Sequence, residues 1–345
     1  MKLCCQARFE RKFLLNLRKL KSSITSFTSF TSFPFLTSLL TLIVFCAAPT
    51  VKAADIDWGQ VGAKNIKVFY PGVASWEFLK ESDHGTGGPP VKTIKKACAD
   101  CHVGKDGTYD INADKIITGE LKKVKSGKPL EPEPVAGAKG FSEVALQVAY
   151  DAENIYLRLQ WAGSGASVAD PALAKDDKAD RISIQIANKI KTFQLYGCFI
   201  ACHDDQTGMP ENSGEEKKLY GYYAADKPQD KLDGFLSQGQ FIDLWEAYFE
   251  GPEVKTKDGY VLESRHEDQN DLSAAGSFEG GKYTVVITRK LSTGDARDIT
   301  LQDGKDFSIG ISIHDNKHKG RHHYTSFPLS VGLSTAGGDV AAKKF

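Results

Sequence analysis

Twice in this chain a pair of cysteines ends in a histidine. Residues 95–104 read "KKACADCHVG", with Cys98, Cys101 and His102; residues 195–205 read "LYGCFIACHDD", with Cys198, Cys202 and His203. Of seven cysteines, Cys4, Cys5 and Cys46 lie near the N-terminus, so every cysteine beyond residue 53 belongs to one of these motifs. Two disulfides would use four cysteines, but a disulfide needs no histidine beside it. Four thiolates would close a zinc site, yet zinc leaves both histidines unexplained. Covalent haem attachment uses all six residues: two thiols add to the vinyl groups of one haem, and the next residue supplies the proximal iron ligand. The first motif has the usual spacing and the second is one residue longer. The expectation is two covalently bound haem c groups, tethered by Cys98 and Cys101 and by Cys198 and Cys202, with His102 and His203 on the irons.

Such attachment takes place outside the cytoplasm, and the N-terminus fits export. A basic stretch from Arg8 to Lys21 precedes the apolar run "FPFLTSLLTLIVFCAA", and small residues Val51 and Ala53 stand before Ala54. This is the pattern of a signal peptide over 1–53, which places the mature chain in the periplasm. Left uncleaved, the segment would anchor the chain to the membrane instead, although the run is shorter than the ~20 residues that span a bilayer. The 44 basic and 44 acidic residues balance over the whole chain, but the first 53 hold eight Lys or Arg and one Glu. The remainder is mildly acidic, which argues against nucleic acid as a partner.

Residues 54–134 are rich in Gly, Pro and Lys and poor in strand patterns, ending in the linker-like "SGKPLEPEP". They are expected to form a small irregular haem-binding segment. From 135 to 345 the pattern changes. "VALQVAY" and "IYLRLQW" alternate apolar and polar residues about a turn-like "DAEN", predicting a hairpin. "RISIQIA", "YTVVITR" and "FSIGISI" alternate likewise, and "HHYTSFPLSVGL" is a last candidate strand. The fold class expected is mainly β, an antiparallel sandwich. "FIDLWEAYF" is expected to form a turn or two of helix, and Trp161 and Trp245 to lie in the core. The second motif falls in a long connection, expected at one end of the sandwich.

"VALQVAYDAENIYLRLQWAG", "DRISIQIA", "GCFIACH" followed by Met209, and "IDLW" resemble the haem domain of ethylbenzene dehydrogenase gamma subunits and related cytochromes, over roughly residues 135–335. "KVFYPGVASWEFLKESDH" with "KACADCH" resembles the extra haem segment of exported dihaem members. The resemblance implies a β-sandwich haem domain and electron transfer. In members without thioethers it implies iron bound by a methionine and by a lysine near the C-terminal strand. Here that position reads "GRHHYTSF", where His322 or His323 stands instead.

A low-spin iron needs a second axial ligand. For the first haem His84 is favoured, brought over by the glycine-rich loop that follows it. For the second the candidates are His323, His322 and Met209, and His323 is chosen. Met209 lies only six residues beyond His203, a short reach around a haem. His314 and His318 are expected in a solvated turn, and His266 is expected to be exposed. No Gly-rich nucleotide loop or paired-carboxylate site is evident. The expected function is electron transfer as a periplasmic dihaem cytochrome between other redox proteins. Kept beside it are a haem-bearing subunit of a molybdenum oxidoreductase complex and a dihaem enzyme, a peroxidase or oxyanion reductase. The enzyme would need an iron with an open position.

Overall fold

The computed structural model describes residues 55–70, 96–105, 109, 111–122, 127, 129, 131, 134, 136–175, 178–200, 224, 227–315 and 323–345. The strands are β1 (Lys64–Phe69), β2 (Phe141–Tyr150), β3 (Asn154–Ala162), β4 (Arg181–Ile186), β5 (Ile242–Glu250), β6 (Glu253–Val261), β7 (Arg265–Glu267), β8 (Ser273–Glu279), β9 (Lys282–Lys290), β10 (Asp306–His314), β11 (Tyr324–Ser326), β12 (Leu329–Leu333) and β13 (Val340–Lys344). The helices are short: α1 (Ala113–Ile117), α2 (Ala166–Ala169), α3 (Ala172–Lys175), α4 (Lys191–Tyr196) and α5 (Gln229–Ser237).

The hairpin forms as its sequence demands. Strands β2 and β3 pair with Val144 opposite Trp161 and Tyr150 opposite Ile155. In the turn Asp151 Oδ1 accepts the amides of Glu153 and Asn154, both at 2.7 Å, and Asp151 Oδ2 accepts from the Tyr156 hydroxyl at 2.8 Å. An aspartate binding the backbone two residues ahead is a reason for aspartate at that corner.

The strands run in the order β7-β6-β5-β4-β10-β11-β1-β2-β3-β9-β8, while β12 and β13 make a second bridge from β10 to β2. The fold is a mainly antiparallel β-sandwich. The exceptions are β13, which is parallel to both β12 and β2. Its core takes Leu146, Val148, Leu157 and Leu159 from one part of the path and Ile184, Trp245, Ile309 and Ile311 from the other. Trp161 and Trp245 are buried as expected.

Three local expectations are corrected. "FIDLWEAYF" is strand β5, not helix. Trp245, Ala247 and Phe249 face the sandwich core, while Ile242 and Leu244 face a second apolar cluster on the outer side. With both faces covered, the run loses the polar alternation that marks a strand. The final stretch is two strands, β11 and β12, both paired with β10 and separated at Phe327 and Pro328. Finally, the segment expected to be strand-poor contributes β1, which lies between β2 and β11 and pairs with both.

Candidate haem-binding surface

The outer cluster organises the site. It gathers Phe69 of β1, Ala113 of α1, Ile190, Phe193, Tyr196 and Phe199 around the second motif, Ile242 and Leu244 of β5, and Phe327. Helix α4 ends at Gly197, whose positive φ of 57° turns the chain into the 3₁₀ turn Gly197–Ile200. A Cβ there would also come within 2.9 Å of the Pro328 nitrogen, so glycine is needed on both counts.

Cys198 is buried in that turn and free of disulfide. It lies against β10, where a Cβ on Gly310 would meet its sulfur at 2.4 Å. Glycine inside the strand "FSIGISI" thus clears room for a sulfur, the close approach that an interior strand glycine signals. Burial pushes the Cys198 thiol up to about 12, against a lowering hydrogen bond from Ser312. The sulfur is therefore not a thiolate at neutral pH. The expectation of a loop at one end of the sandwich is refined: the described part of the motif packs over β10.

The first motif sits in a different setting. Cys98–Asp100 form a 3₁₀ turn. It is closed by the Asp100 amide on the Ala97 carbonyl at 3.0 Å and by the Ala97 amide on Asp100 Oδ2 at 2.8 Å. Cys101 is exposed and His102 half-buried. Val103, exposed, forms an isolated antiparallel bridge with Tyr109.

The second motif and the segment that follows the first meet on one aromatic side chain. Tyr109 stacks on Phe327 with ring centroids 4.1 Å apart, and Phe199, next to Cys198, meets Phe327 at 5.2 Å. Phe69 completes the group, 5.6 Å from Phe327 and edge-on to Tyr109 at 6.2 Å. Sequence reading missed Phe327 and Tyr109, because nothing local marks an aromatic residue as a junction between distant segments.

Gly310, Ser312 and His314 share one face of β10. Cys198 lies at the first of these. At the last, His323 stacks on His314 with centroids 4.4 Å apart and planes 12° from parallel. Four strand residues separate the two ends, roughly 13 Å. His314 is buried rather than set in a solvated turn, a correction. Arg181 Nη2 lies 3.4 Å from His314 Nδ1. Because a guanidinium only donates, Nδ1 accepts, and a neutral His314 carries its proton on Nε2. Arg181 Nε is 3.7 Å from Glu246 Oε1, and Arg265 pairs with Glu246 Oε2. His266 is half-buried rather than exposed: it stacks on Tyr260 at 4.6 Å and meets Glu263 at 2.9 Å. Cys202, His203, His84, Met209 and His322 lie outside the described residues, as do His318 and residues 1–53.

The sequence profile of the family described as ethylbenzene dehydrogenase matches residues 108–271 and 266–326. The chain belongs to that family. Within it, the chain is similar to proteins named as cytochromes c. It is 34% identical to cytochrome c-552 of Stutzerimonas stutzeri, over 88% of this chain and 96% of that one. It is 29% identical to cytochrome c-551 of Rhodocyclus tenuis, over 84% and 99%. Among solved structures, a family 9 carbohydrate-binding module from Caldicellulosiruptor kristjanssonii aligns at 9% identity over 56% of this chain and 67% of that one. Its TM-score of 0.26 is too low to bear on function.

Proposed function

We propose that this protein is an exported dihaem cytochrome c that carries electrons between periplasmic redox partners. That it is a haem electron-transfer protein with covalently bound haem c follows from its family and its cytochrome relatives. The observation that supports two cooperating haems is that Phe199, beside Cys198, and Tyr109, seven residues beyond His102, meet on Phe327. Two attachment sites joined by one aromatic cluster would hold two redox centres close together on one surface.

The residues present fit the cofactor. A thioether has no proton to lose, so it suits the buried place of Cys198, where burial already keeps the sulfur un-ionised. In this reading Cys98 and Cys101 would hold the first haem, with His102 and His84 as ligands to its iron. Cys198 and Cys202 hold the second with His203, and His323 completes it. His323 is supported by its seat on the β10 face that also carries Cys198. The haem supplies a one-electron iron couple. The chain anchors it, orders its ligands and sets the charge and water around it. Arg181, paired with Glu246 and facing His314, places a fixed positive charge beside the His323 stack.

The description ethylbenzene dehydrogenase favours one second reading, a haem subunit within a larger molybdenum oxidoreductase. Against it, the match spans 96% and 99% of relatives that are named as cytochromes themselves. Export is supported by the N-terminal pattern, and no helix among the described residues is long and apolar enough to cross a membrane.

The experiment is a haem count on the denatured, purified protein, by pyridine haemochrome absorbance and haem-stained gel. Two haems per chain are expected. A count of one would end the dihaem reading. An electron paramagnetic spectrum should show two low-spin ferric centres, and a native high-spin centre would favour a catalytic iron instead.

A further inference from the structure

Away from the haem motifs, one end of the sandwich core is closed by carboxylates. Asp243 of β5, Asp258 of β6 and Asp298 of the β9–β10 connection are all buried, and an oxygen from each lies within 4.8 Å of the others. Strand register explains the first two. Trp245 pairs with Asp258 across β5 and β6, which makes Asp243 and Asp258 diagonal neighbours on the inward face. Asp258 accepts from the Gly259 amide at 3.0 Å and from the Asp271 amide at 3.3 Å, whereas Asp243 has an oxygen over. Asp243 Oδ2 accepts from Arg289 Nη1 at 2.6 Å and from the Ile299 amide at 2.9 Å. Asp243 Oδ1 is wholly buried and has no hydrogen-bond partner.

A fourth carboxylate independently points the same way. Asp268, in the β7–β8 connection, has both oxygens buried without a hydrogen-bond partner. Its amide lies 3.4 Å from the Asp258 carbonyl. After desolvation, the largest influence on its carboxyl is the charge of Asp298.

The positive charge within reach is small. Arg289, itself buried, contacts Asp243, sits 3.5 Å from Asp298, and stacks over Trp245 at 4.4 Å. Arg297 is spent on Asp295 at 2.8 Å. Two guanidiniums, one of them shared with Asp295, therefore face four carboxylates in a setting where buried charge must be compensated. Burial pushes Asp258 up to about 8 and Asp243 up to about 6, the sign of negative charge that lacks a counter-charge.

The geometry points to a divalent-cation site, suited to calcium, formed by Asp243, Asp258 and Asp298 with Asp268 beside them. Calcium takes hard oxygen ligands at ~2.3–2.6 Å, which allows ligand oxygens as far as about 5.2 Å apart. Oxygens that all lie within 4.8 Å of one another fit that span, and a cage built of protein carboxylates suits calcium better than magnesium, which usually keeps several waters. Asp298 also lines a cavity of about 530 Å³ together with Asp295, Phe241, Gln238 and Lys305. A cation there would tie β5, β6 and the β7–β8 and β9–β10 connections at a single point.

The test uses the full haem-loaded protein, stripped with a chelator and dialysed against calcium or magnesium. Atomic emission should find one calcium per chain. Far-UV melting in calcium at about one hundred times its dissociation constant should rise by roughly 5 °C over the chelated protein, with a smaller rise in magnesium. Asp298→Asn should lose the bound calcium and the rise. Its calcium-free midpoint should equal or exceed that of the native chain, because one mutually repelling carboxylate is gone. Asp268→Asn serves as a second variant should the first fail to fold. No retained calcium and identical midpoints under all conditions would overturn the proposal. So would a calcium effect that survives in both variants. Neither result touches the haem count, so the function stands or falls separately.

Discussion

The two cysteine–histidine motifs share a sequence pattern but not a foundation. The first occupies a short turn closed by Asp100, with Cys101 exposed and Val103 exposed beside it. The second is built into the sandwich: its first cysteine is buried over Gly310, and the helix before it packs through Phe193 and Tyr196. The difference teaches where each would find its order. On the proposed dihaem reading the surface motif would depend on its haem and on the Tyr109–Phe327 stack, while the seat of the buried one is prepared by strands that exist for other reasons. Damage to β10 should therefore strike the second haem and spare the first.

The largest effect expected is from Gly310→Val. The added carbon falls 2.4 Å from the Cys198 sulfur and 3.3 Å from its backbone nitrogen, and a backbone atom cannot step aside. Overpacking of this kind costs about 1–3 kcal/mol even where the core can adjust. The haem count should fall from two to one, and mass analysis of haem peptides should find the loss at Cys198. Retention of both haems with an unchanged melting point would break the comparison, since Cys198 would then not depend on β10.

Next comes the ligand. His323→Ala should convert one haem, and only one, to a high-spin or water-bound state in the oxidised spectrum. Met209→Leu should leave both low-spin. Methionine ligation usually raises the potential above that of a histidine pair. If Met209→Leu is the variant that yields high-spin iron while His323→Ala and His322→Ala are silent, the histidine pair is wrong. The second haem would then be a higher-potential histidine–methionine site.

A smaller difference should separate two cysteine variants. Cys101→Ala removes an exposed sulfur, whereas Cys198→Ala also empties a packed place beside Phe193 and Ser312. Cavity formation at a small buried side chain costs on the order of 1–2 kcal/mol. The melting midpoint of Cys198→Ala should lie about 3–5 °C below that of Cys101→Ala. Equal midpoints would place both sulfurs in equivalent settings and remove the contrast.

These asymmetries were only half legible in the sequence. Alternation disclosed β2, β3, β4, β9 and β10, because each shows apolar residues at every second position. It failed at β5, where both faces are covered. It also failed for β1: only six residues long, it gains its place from β2 and β11 and not from its own pattern. The motifs pointed to covalent haem from spacing alone, since spacing is local. His314 was misjudged because a charged neighbourhood, "HDNKHKGRHH", reads as surface, and only the fold lays His323 across it. The aspartate cluster was invisible for a similar reason. Its members lie far apart in sequence, at positions 243, 258, 268 and 298.

The smallest effect concerns pH, and it sharpens the contrast because the aspartates lie under the sandwich and not under the first motif. Burial raises Asp243 to about 6, Asp268 to about 6 and Asp258 to about 8, and raises Asp298 as well, opposed by Arg289 and by Arg297. The unfolded carboxyls titrate near ~3.9. Between those limits the folded chain binds more protons than the unfolded one, so stability falls as pH rises. In chelator, the midpoint should drop by about 2–3 °C between pH 5 and pH 8, with Arg289 and Arg297 softening the slope and Asp295 and Asp271 steepening it. The readout is the Soret melting curve of Cys98→Ala/Cys101→Ala, which keeps only the second haem. Saturating calcium should flatten the slope, because a bound cation replaces the protons. A midpoint that climbs with pH in chelator would mean that the buried carboxylates are already compensated, and that the second motif's platform owes nothing to them.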